Sequence, residues 1–234
     1  MTALHPMIDA FQTFCRAHQD ASKAAEMAAY LKTDMPFYGV PCSAWKDHVK
    51  TWKKTWPLPT FDDYRDRILA LWALPHREEK ALACWIAITF KQHITADALP
   101  LYQQLITEGA WWDIVDELAM HAVGAAFLRD RPAIQPTLEA WIDHDDLWLR
   151  RTALLAQLHH KAKTDPDLLF EFCRNRMHEK EFFIRKAIGW ALRQYGYTAP
   201  DAVKGFLVEH KDQLSGLSYR EGSRVLIKQG LMGA

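Results

Sequence analysis

Apolar residues recur with helical spacing along most of the chain. In residues 76–92, the positions i, i+3, i+4 and i+7 are Ala81, Cys84, Trp85 and Ile88. This spacing predicts one apolar stripe on the face of an amphipathic helix. The same spacing recurs in segments 112–128, 146–160 and 179–195. Because no run alternates apolar and polar residues for long enough to predict a strand, we expect an all-α fold.

Residues that interrupt helices lie between these segments. They are Pro75, Pro100, Gly109, Pro132, Pro166 and Pro200. Asp97, Asp165 and Thr198 are predicted helix N-caps, because their side-chain oxygens can accept the first free backbone N–H groups. Shorter helices are expected between the long ones, near residues 96–107, 132–142, 166–176 and 199–212.

The helical pattern repeats when the sequence is shifted by 35 residues. The segments that then superimpose are 76–92, 111–127, 146–162 and 181–197. A helix pair that recurs about every 35 to 40 residues is typical of a HEAT-like α-solenoid, in which neighbouring pairs stack into one continuous core. We therefore expect a single HEAT-like repeat domain over residues 1–234, with a concave face.

Charged residues share one position of the repeat. Positions 116, 151 and 186 are Asp116, Arg151 and Lys186. Trp112 lies one helical turn before Asp116, and Trp190 lies one turn after Lys186, so the five side chains are predicted to form one patch. The alternative is that the tryptophans belong to the core and the charges to a solvated face, and the spacing leaves this open.

These residue types suit one kind of chemistry. A carboxylate stabilises a developing cation or orients a water, the guanidinium fork of Arg fits a phosphate, and the face of Trp attracts positively polarised groups. A cationic, sugar-like transition state beside a phosphodiester would use all three. Cleavage of an N-glycosidic bond in DNA is therefore one possibility among several.

The net charge at first argues against a nucleic-acid partner, because 29 Lys+Arg balance 29 Asp+Glu. The balance is uneven along the chain. Residues 1–146 carry 14 basic and 20 acidic residues (14 − 20 = −6), and residues 147–234 carry 15 and 9 (15 − 9 = +6). A second basic cluster lies near three tryptophans and consists of Lys46, Lys50, Lys53 and Lys54. A DNA-binding function therefore remains open.

Other classes of protein are disfavoured by composition. The four cysteines form no CxxC pair and the eleven histidines form no HExxH motif, so we expect neither a metal site nor a cofactor. No run of about 18 apolar residues predicts a membrane span, and no signal peptide is evident. We expect a cytoplasmic protein with reduced thiols.

Several segments closely resemble the AlkD-type DNA alkylation-repair glycosylases, a HEAT-like repeat family. The resemblance runs from about residue 5 to residue 228. Its most specific motifs are WWDIVDELA (111–119), DLWLRRTALLAQL (146–158) and KEFFIRKAIGWALRQY (180–195), accompanied by AAEMAAYLK (24–32), MPFYGV (35–40) and LSYREG (217–222).

The resemblance implies a monofunctional glycosylase that removes cationic N3- and N7-alkylated purines and leaves an abasic site. It implies that Asp116 is the catalytic carboxylate and that Trp112 and Trp190 contact the sugar of the lesion nucleotide. A cationic base needs no general acid to leave, so one carboxylate suffices. The family is also known for catalysis without base flipping.

The same resemblance implies the contacts with DNA. Arg151 matches the family's phosphate contact, and Tyr30 matches a tyrosine that lies beside the backbone near the lesion. Lys186 joins this set on its position in the 35-residue repeat alone. The expected partner is double-stranded DNA containing alkylated bases, bound by a monomer on the concave face, with the protein associated with the nucleoid when bound.

Two other hypotheses remain. The chain could be a HEAT-like module that binds damaged or structured DNA without chemistry, or a scaffold that binds proteins, a common use of α-solenoids. The first is disfavoured because a pure DNA binder gains nothing from facing phosphates with Asp116. The second is disfavoured by the match across the whole set of motifs.

Overall fold

The computed structural model describes residues 5–233, in which all regular structure is helical and no strand occurs. This confirms the predicted all-α class. The helices form two compact units, one within residues 1–93 and the other within residues 94–234; residues 1–4 and 234 of the predicted domain lie outside the described part. No helix of that part is both long and apolar enough to cross a membrane.

From residue 5 onward, where the structure describes it, the first unit contains five α-helices and a short 3₁₀ helix. They are α1 (Pro6–Ala17), α2 (Ala21–Leu31), α3 (Cys42–Thr55), α4 (Phe61–Trp72), α5 (Arg77–Thr89) and the 3₁₀ turn Lys91–His93. Helix α4 begins with a capping box in which the side chains of Thr60 and Asp63 bond each other's backbone N–H groups. Helices α4 and α5 pack together, and the Tyr64 hydroxyl donates to the carbonyl of Ala87 at 2.8 Å.

Two adjacent buried carboxylates organise the first unit. Glu78 accepts hydrogen bonds from the backbone N–H groups of residues 38, 39 and 40, at 2.9 to 3.1 Å. Glu79 accepts hydrogen bonds from the side chains of Gln12 and Tyr38. These bonds fix the extended segment before α3, where Gly39 has a φ of +81°. The segment lies in the MPFYGV motif, so that motif has a structural role here.

The described part of the second unit contains nine α-helices. They are α6 (Leu99–Gly109), α7 (Trp112–Leu118), α8 (Gly124–Arg129), α9 (Arg131–Ile142), α10 (Leu147–Leu155), α11 (Pro166–Arg176), α12 (Phe182–Gly196), α13 (Pro200–Glu209) and α14 (Gly216–Lys228). A π-helical turn, Ala119–Val123, joins α7 to α8. The 3₁₀ helices Ala96–Ala98 and Lys161–Lys163 precede α6 and α11.

The helices of the second unit pack in a regular order. Helix α7 contacts α10, α10 contacts α12, and α12 contacts α14 most extensively of all. The intervening helices α6, α9, α11 and α13 pack against neighbouring members of this series. Consecutive members of the series carry positions 116, 151, 186 and 221. The 35-residue spacing in the sequence therefore corresponds to a step from one packed helix to the next.

Several helix boundaries differ from the predicted ones. Asp165 caps α11 through Leu168 N, as predicted. The other two N-caps are wrong by one residue or more: Asp97 lies inside a 3₁₀ helix and Ala98 precedes α6, while Ala199 precedes α13. Helix α10 ends at Leu155, earlier than predicted, because the side chain of Gln157 bonds both backbone groups of Asp165 and holds a turn there.

The apolar stripe predicted for α5 does not coincide with the buried face of the helix, so this prediction is wrong. Trp85 and Ile88 are only half-buried, whereas Leu82, Ala83 and Ile86 have no exposed surface. The helix is apolar around most of its circumference, so the spacing of apolar residues does not decide which face is buried.

Candidate functional site

Asp116 and Arg151 form a buried ion pair in the second unit. The Arg151 Nε atom lies 2.8 Å from Asp116 Oδ1, and Nη2 lies 2.9 Å from Oδ2, so the contact is bidentate. Asp116 is 8% exposed and Arg151 3%. Paired hydrogen bonds of this kind fix both the position and the plane of the carboxylate. Positions 35 residues apart are thus in direct contact, on helices α7 and α10.

Arg151 is itself held by the start of α12. Its Nη1 atom donates to the carbonyl of Phe183 at 2.5 Å, and the guanidinium lies 5.7 Å from the centre of the Phe183 ring. That ring packs at 4.9 Å from Trp148 and 5.5 Å from Trp111. This aromatic support of Arg151 was not predicted, because nothing in the repeat spacing distinguishes these rings from ordinary core residues.

A cavity of about 380 Å³ opens beside this ion pair. Its size is within the range of about 300 to 1,000 Å³ that is usual for small-molecule sites. The lining residues are mostly aromatic or charged, and they are Trp112, Asp116, Arg151, Phe182, Phe183, Lys186, Trp190 and Arg193. All five residues that the sequence predicted to form one patch therefore line one cavity.

The sixth predicted residue belongs to the other unit. Tyr30 lies near the end of α2 and is 72% exposed. Among the residues around the cavity, Phe182 is also prominent, because its side chain is 58% exposed at the start of α12. Its ring packs edge-on against Phe183 at 5.4 Å. Phe182 was not among the predicted site residues, although it lies in the matched motif KEFFIRK.

A second buried carboxylate, Glu221 on α14, gathers three cations beside the cavity. Its Oε1 atom lies 2.7 Å from Lys186 Nζ and 3.6 Å from Arg224 Nη1, and its Oε2 atom pairs with Arg193. Burial on its own would raise the pKa of the Glu221 carboxyl. The hydrogen bond from Lys186 and the charges of Lys186, Arg193 and Arg224 outweigh burial and lower that pKa. Glu221 was missed, although it continues the 35-residue series 116, 151, 186 by one step.

Gly189 allows the close packing of α12 on α14. A Cβ atom at this position would lie 2.5 Å from Glu221 Cβ and 2.9 Å from the carbonyl oxygen of Ser218. The Ser218 hydroxyl also donates to the carbonyl of Arg185 at 2.9 Å. Glycine in the AIGW motif therefore sets the separation of the two helices that carry Lys186 and Glu221.

Several basic residues of the C-terminal half are engaged within the protein. Arg150 pairs with Glu179 at 3.0 Å, and Arg185 donates to the carbonyl of Glu179 at 3.1 Å. In the N-terminal lysine cluster, Lys53 donates to the carbonyl of Thr89 and lies 4.5 Å from the ring of Phe90. The excess of positive charge in the sequence therefore overstates the number of cations available to a partner.

Within residues 5–233 no group of three or more His, Cys, Asp and Glu side chains is arranged to hold a metal ion. The eleven histidines include His160, which is buried and bonds the Gly124 carbonyl through Nε2 at 2.8 Å. Burial lowers the pKa of His160 to about 4. This histidine is therefore a neutral structural group next to the π-helical turn.

Comparison with known proteins identifies the family. The model of the family described as DNA alkylation repair enzyme matches residues 12–226. The chain belongs to this family. A solved structure described as a predicted DNA alkylation repair enzyme from Enterococcus faecalis is similar, with 31% sequence identity and a TM-score of 0.81. The match covers 90% of this chain and 97% of that one. No curated protein matches.

Membership in the DNA alkylation repair enzyme family bears on the function of the cavity. It makes the chain an enzyme of DNA alkylation repair, with DNA as its substrate. The cavity beside Asp116 combines a fixed carboxylate, exposed aromatic surface and cations. The cavity is therefore the strongest candidate for the site at which such an enzyme binds DNA.

Proposed function

We propose that the protein is a monofunctional DNA glycosylase of base-excision repair, which hydrolyses the N-glycosidic bond of cationic N3- and N7-alkylated purines in double-stranded DNA. The observation that carries this proposal is the Asp116 carboxylate, held by Arg151 in a cavity lined by Trp112 and Trp190. The alkylated nucleotide enters this cavity from the concave face of a HEAT-like solenoid.

The packing of the second unit supports the HEAT-like architecture. Four helices, each about 35 residues after the previous one, contact one another in series, and shorter helices alternate with them. Such a stack has a continuous core and places equivalent positions of each repeat along one surface. Asp116, Arg151, Lys186 and Glu221 occupy such a position, which is why they meet at one site.

The reaction is simple because the substrate base already carries a positive charge. The bond between C1′ of the deoxyribose and N9 of the purine breaks, and its electron pair remains on the purine, which leaves as a neutral base. The sugar develops oxocarbenium character, and water adds to C1′ and loses a proton. The products are a free alkylpurine and an abasic site. No strand is cut in this scheme, because water attacks C1′ and Lys186, which lines the cavity, is paired with Glu221 and does not form a Schiff base.

Asp116 stabilises the positive charge on the sugar and orients the attacking water. Each carboxylate oxygen accepts one bond from Arg151 and retains lone-pair capacity on the side of the cavity. A negative charge fixed beside a developing cation is stabilising without reorganisation during the reaction. Arg151 fixes the orientation of the carboxylate, and its predicted phosphate contact adds to this role when DNA is bound.

The two tryptophans surround the sugar. Trp112 and Trp190 line the same cavity as Asp116, and the face of an indole attracts positively polarised C–H groups and cations. Both rings are half-buried, so each combines a fixed position with surface that a substrate can contact. Together they stabilise the oxocarbenium-like sugar from sides that Asp116 does not cover.

The base need not leave the DNA stack in this scheme. A flipped base is usually recognised through hydrogen bonds to its edge and stacking in a snug pocket. Among the described residues that line the cavity there is no amide or hydroxyl side chain. The lining therefore suits contact with the sugar and backbone better than recognition of a base edge. Lys186 and Tyr30 contact the DNA backbone in this proposal, and the protein acts as a cytoplasmic monomer.

The deciding experiment measures base release by an Asp116→Asn variant. Incubation with methylated duplex DNA and chromatography of the released bases should show a fall in 7-methylguanine and 3-methyladenine release of about 10²- to 10³-fold, the usual effect of removing one electrostatic group from a reaction centre. Binding to the same DNA should persist. The DNA that has lost a base should break only after treatment with alkali, as expected for an abasic site.

Glu117→Gln is the matched control, because Glu117 is the next residue on α7 and is exposed. It removes the same charge and should leave base release unchanged. Thermal unfolding of both variants separates loss of chemistry from loss of fold. Parental rates in Asp116→Asn would overturn the catalytic role. A wild-type protein that binds methylated DNA but releases no base would be the non-catalytic module instead.

A further inference from the structure

We infer that Lys186, Arg193 and Arg224, gathered by Glu221, form a phosphate-binding site for the DNA backbone beside the cavity. This inference rests on the proposed function, because it takes DNA as the partner, and it adds Arg193, Arg224 and Glu221 to the backbone contact of Lys186. The ligand is a backbone phosphodiester next to the nucleotide that occupies the cavity. Glu221 is a positioning residue that never touches the DNA.

The first support is the number of cations around one carboxylate. Glu221 contacts Lys186 at 2.7 Å and Arg224 at 3.6 Å, and it also pairs with Arg193. Among the described residues, Glu221 is the one carboxylate within ion-pair distance of any of the three. One negative charge therefore faces three positive charges, which leaves an excess of about two positive charges at one place.

The second support is the contrast with the neighbouring ion pair. Asp116 and Arg151 balance one charge against one, through two hydrogen bonds that each engage one oxygen of the carboxylate. The cluster around Glu221 has no such balance, and like charges that are held close together repel each other. An added anion relieves this repulsion. The fold does not require this excess of positive charge, whereas a bound phosphate would be stabilised by it.

The third support is the exposure of the cations. The side chains of Lys186, Arg193 and Arg224 are 37%, 23% and 66% exposed, whereas that of Glu221 is 11% exposed. Lys186 and Arg193 also line the cavity. The carboxylate therefore lies below the surface and the cations lie on it, at the edge of the place where the sugar is proposed to bind. A phosphodiester joined to that sugar would reach them.

Arginine suits this ligand particularly well. The planar guanidinium fork matches two oxygens of a phosphate, while the lysine ammonium acts as a compact charge. Arg193 and Arg224 approach Glu221 with their Nη1 atoms, so each guanidinium has further N–H donors for an anion. Because α12 and α14 pack closely at Gly189, the two helices that carry the cluster are held at a short separation before DNA binds.

The test is the salt dependence of binding to an unmodified DNA duplex, so that no chemistry intervenes. Each phosphate contact contributes about 0.9 to the slope of log K against log salt concentration. Arg224→Gln should lower the steepness of that slope by about 0.9. The ratio of wild-type to variant affinity should then be about 3.5 times larger at 50 mM than at 200 mM salt.

Lys228→Gln is the matched control. Lys228 lies one turn after Arg224 on α14, is exposed, and makes no ion pair with Glu221. This variant loses the same charge and should keep the wild-type slope. Equal slopes for the wild type and Arg224→Gln, or equal losses in both variants, would overturn the site, since the second result indicates a diffuse charge effect.

A calorimetric titration with inorganic phosphate at constant ionic strength distinguishes the source of the ligand. We expect no saturable heat, because a free phosphate lacks the rest of the DNA backbone. Saturable binding that disappears in Arg224→Gln, with an unchanged DNA slope, would assign the site to free phosphate and overturn the inference. Failure of the inferred phosphate site is distinguishable from failure of the proposed function, because base release by the wild type is measured separately.

Discussion

Glu78 in the first unit and Asp116 in the second are both buried carboxylates that accept several hydrogen bonds, yet they differ in what supplies those bonds. Glu78 bonds three consecutive backbone N–H groups. Asp116 bonds one side chain, Arg151, and lines a cavity. Glu78 is therefore committed to holding the chain in place. Asp116 is held in place by the chain, and its remaining capacity faces the place where a ligand can bind.

This difference separates a structural carboxylate from a chemical one more clearly than burial does. Glu78 and Asp116 are 2% and 8% exposed, a small difference. A buried group whose partners are backbone amides contributes mainly to stability, because its loss leaves those amides unsatisfied. A group that a side chain positions at an open cavity can act in a reaction, as we propose for Asp116. Variants of Glu78, Trp190 and His160, together with Asp116→Asn, test this separation.

The largest expected effect is a loss of stability in Glu78→Ala. Three backbone N–H groups lose their acceptor, and each unsatisfied buried group costs about 1 to 3 kcal/mol. The free energy of unfolding, measured by urea denaturation, should fall by about 3 kcal/mol or more. Glu78→Gln retains one acceptor oxygen and should lose less. If Glu78→Ala lowered base release per folded molecule while its unfolding was unchanged, the contrast with Asp116 would be wrong.

A smaller effect is expected from Trp190→Phe, and it should appear in the rate. Phenylalanine keeps a π face but a weaker one than indole, and a loss of about 1.4 kcal/mol of transition-state stabilisation corresponds to a tenfold slower reaction. Single-turnover release of 7-methylguanine measures this. Trp141→Phe is the comparison, because Trp141 is buried in α9 and is not part of the cavity. It should lower the melting temperature and leave the rate unchanged; the reverse pattern would contradict the assignment.

A pH-dependent effect is expected from His160, a buried structural group in the same unit as Asp116. Burial lowers its pKa to about 4 in the folded protein, whereas the unfolded chain has a value of about 6.5. The unfolded state therefore binds the proton first, and stability falls as the pH drops from about 6.5 to about 4. His160→Gln should flatten this part of the profile of unfolding free energy against pH. An identical slope in both proteins would exclude His160 as its source.

The sequence predicted the helical class and the meeting of five side chains, because both follow from spacing. Equivalent positions 35 residues apart lie on successive packed helices, so Asp116 and Arg151 had to be close once the repeat was recognised. The same 35-residue spacing also predicts that Glu221 lies close to Lys186. Glu221 was missed because the predicted series of charged positions ended at Lys186. Its role depends on Arg193 and Arg224, which lie outside that series.

Other features depend on contacts that no local pattern encodes. The early end of α10 depends on Gln157 reaching the backbone of Asp165. The buried face of α5 depends on which neighbours cover a helix that is apolar nearly all round. The π-helical turn at Ala119–Val123 adds one residue to a helical turn within a segment whose spacing looked regular. Each is decided by tertiary packing.

The absence of a side chain at Gly189 affects the electrostatic potential around Glu221. The gap between α12 and α14 is too narrow for a methyl group, since a Cβ there would come within 2.5 Å of Glu221 Cβ. Helix α12 carries Lys186 and Arg193, and α14 carries Glu221 and Arg224. An uncharged alanine at this position would therefore push a carboxylate away from its two nearest cations. The local electric potential of this surface thus depends on the size of an apolar residue that bears no charge.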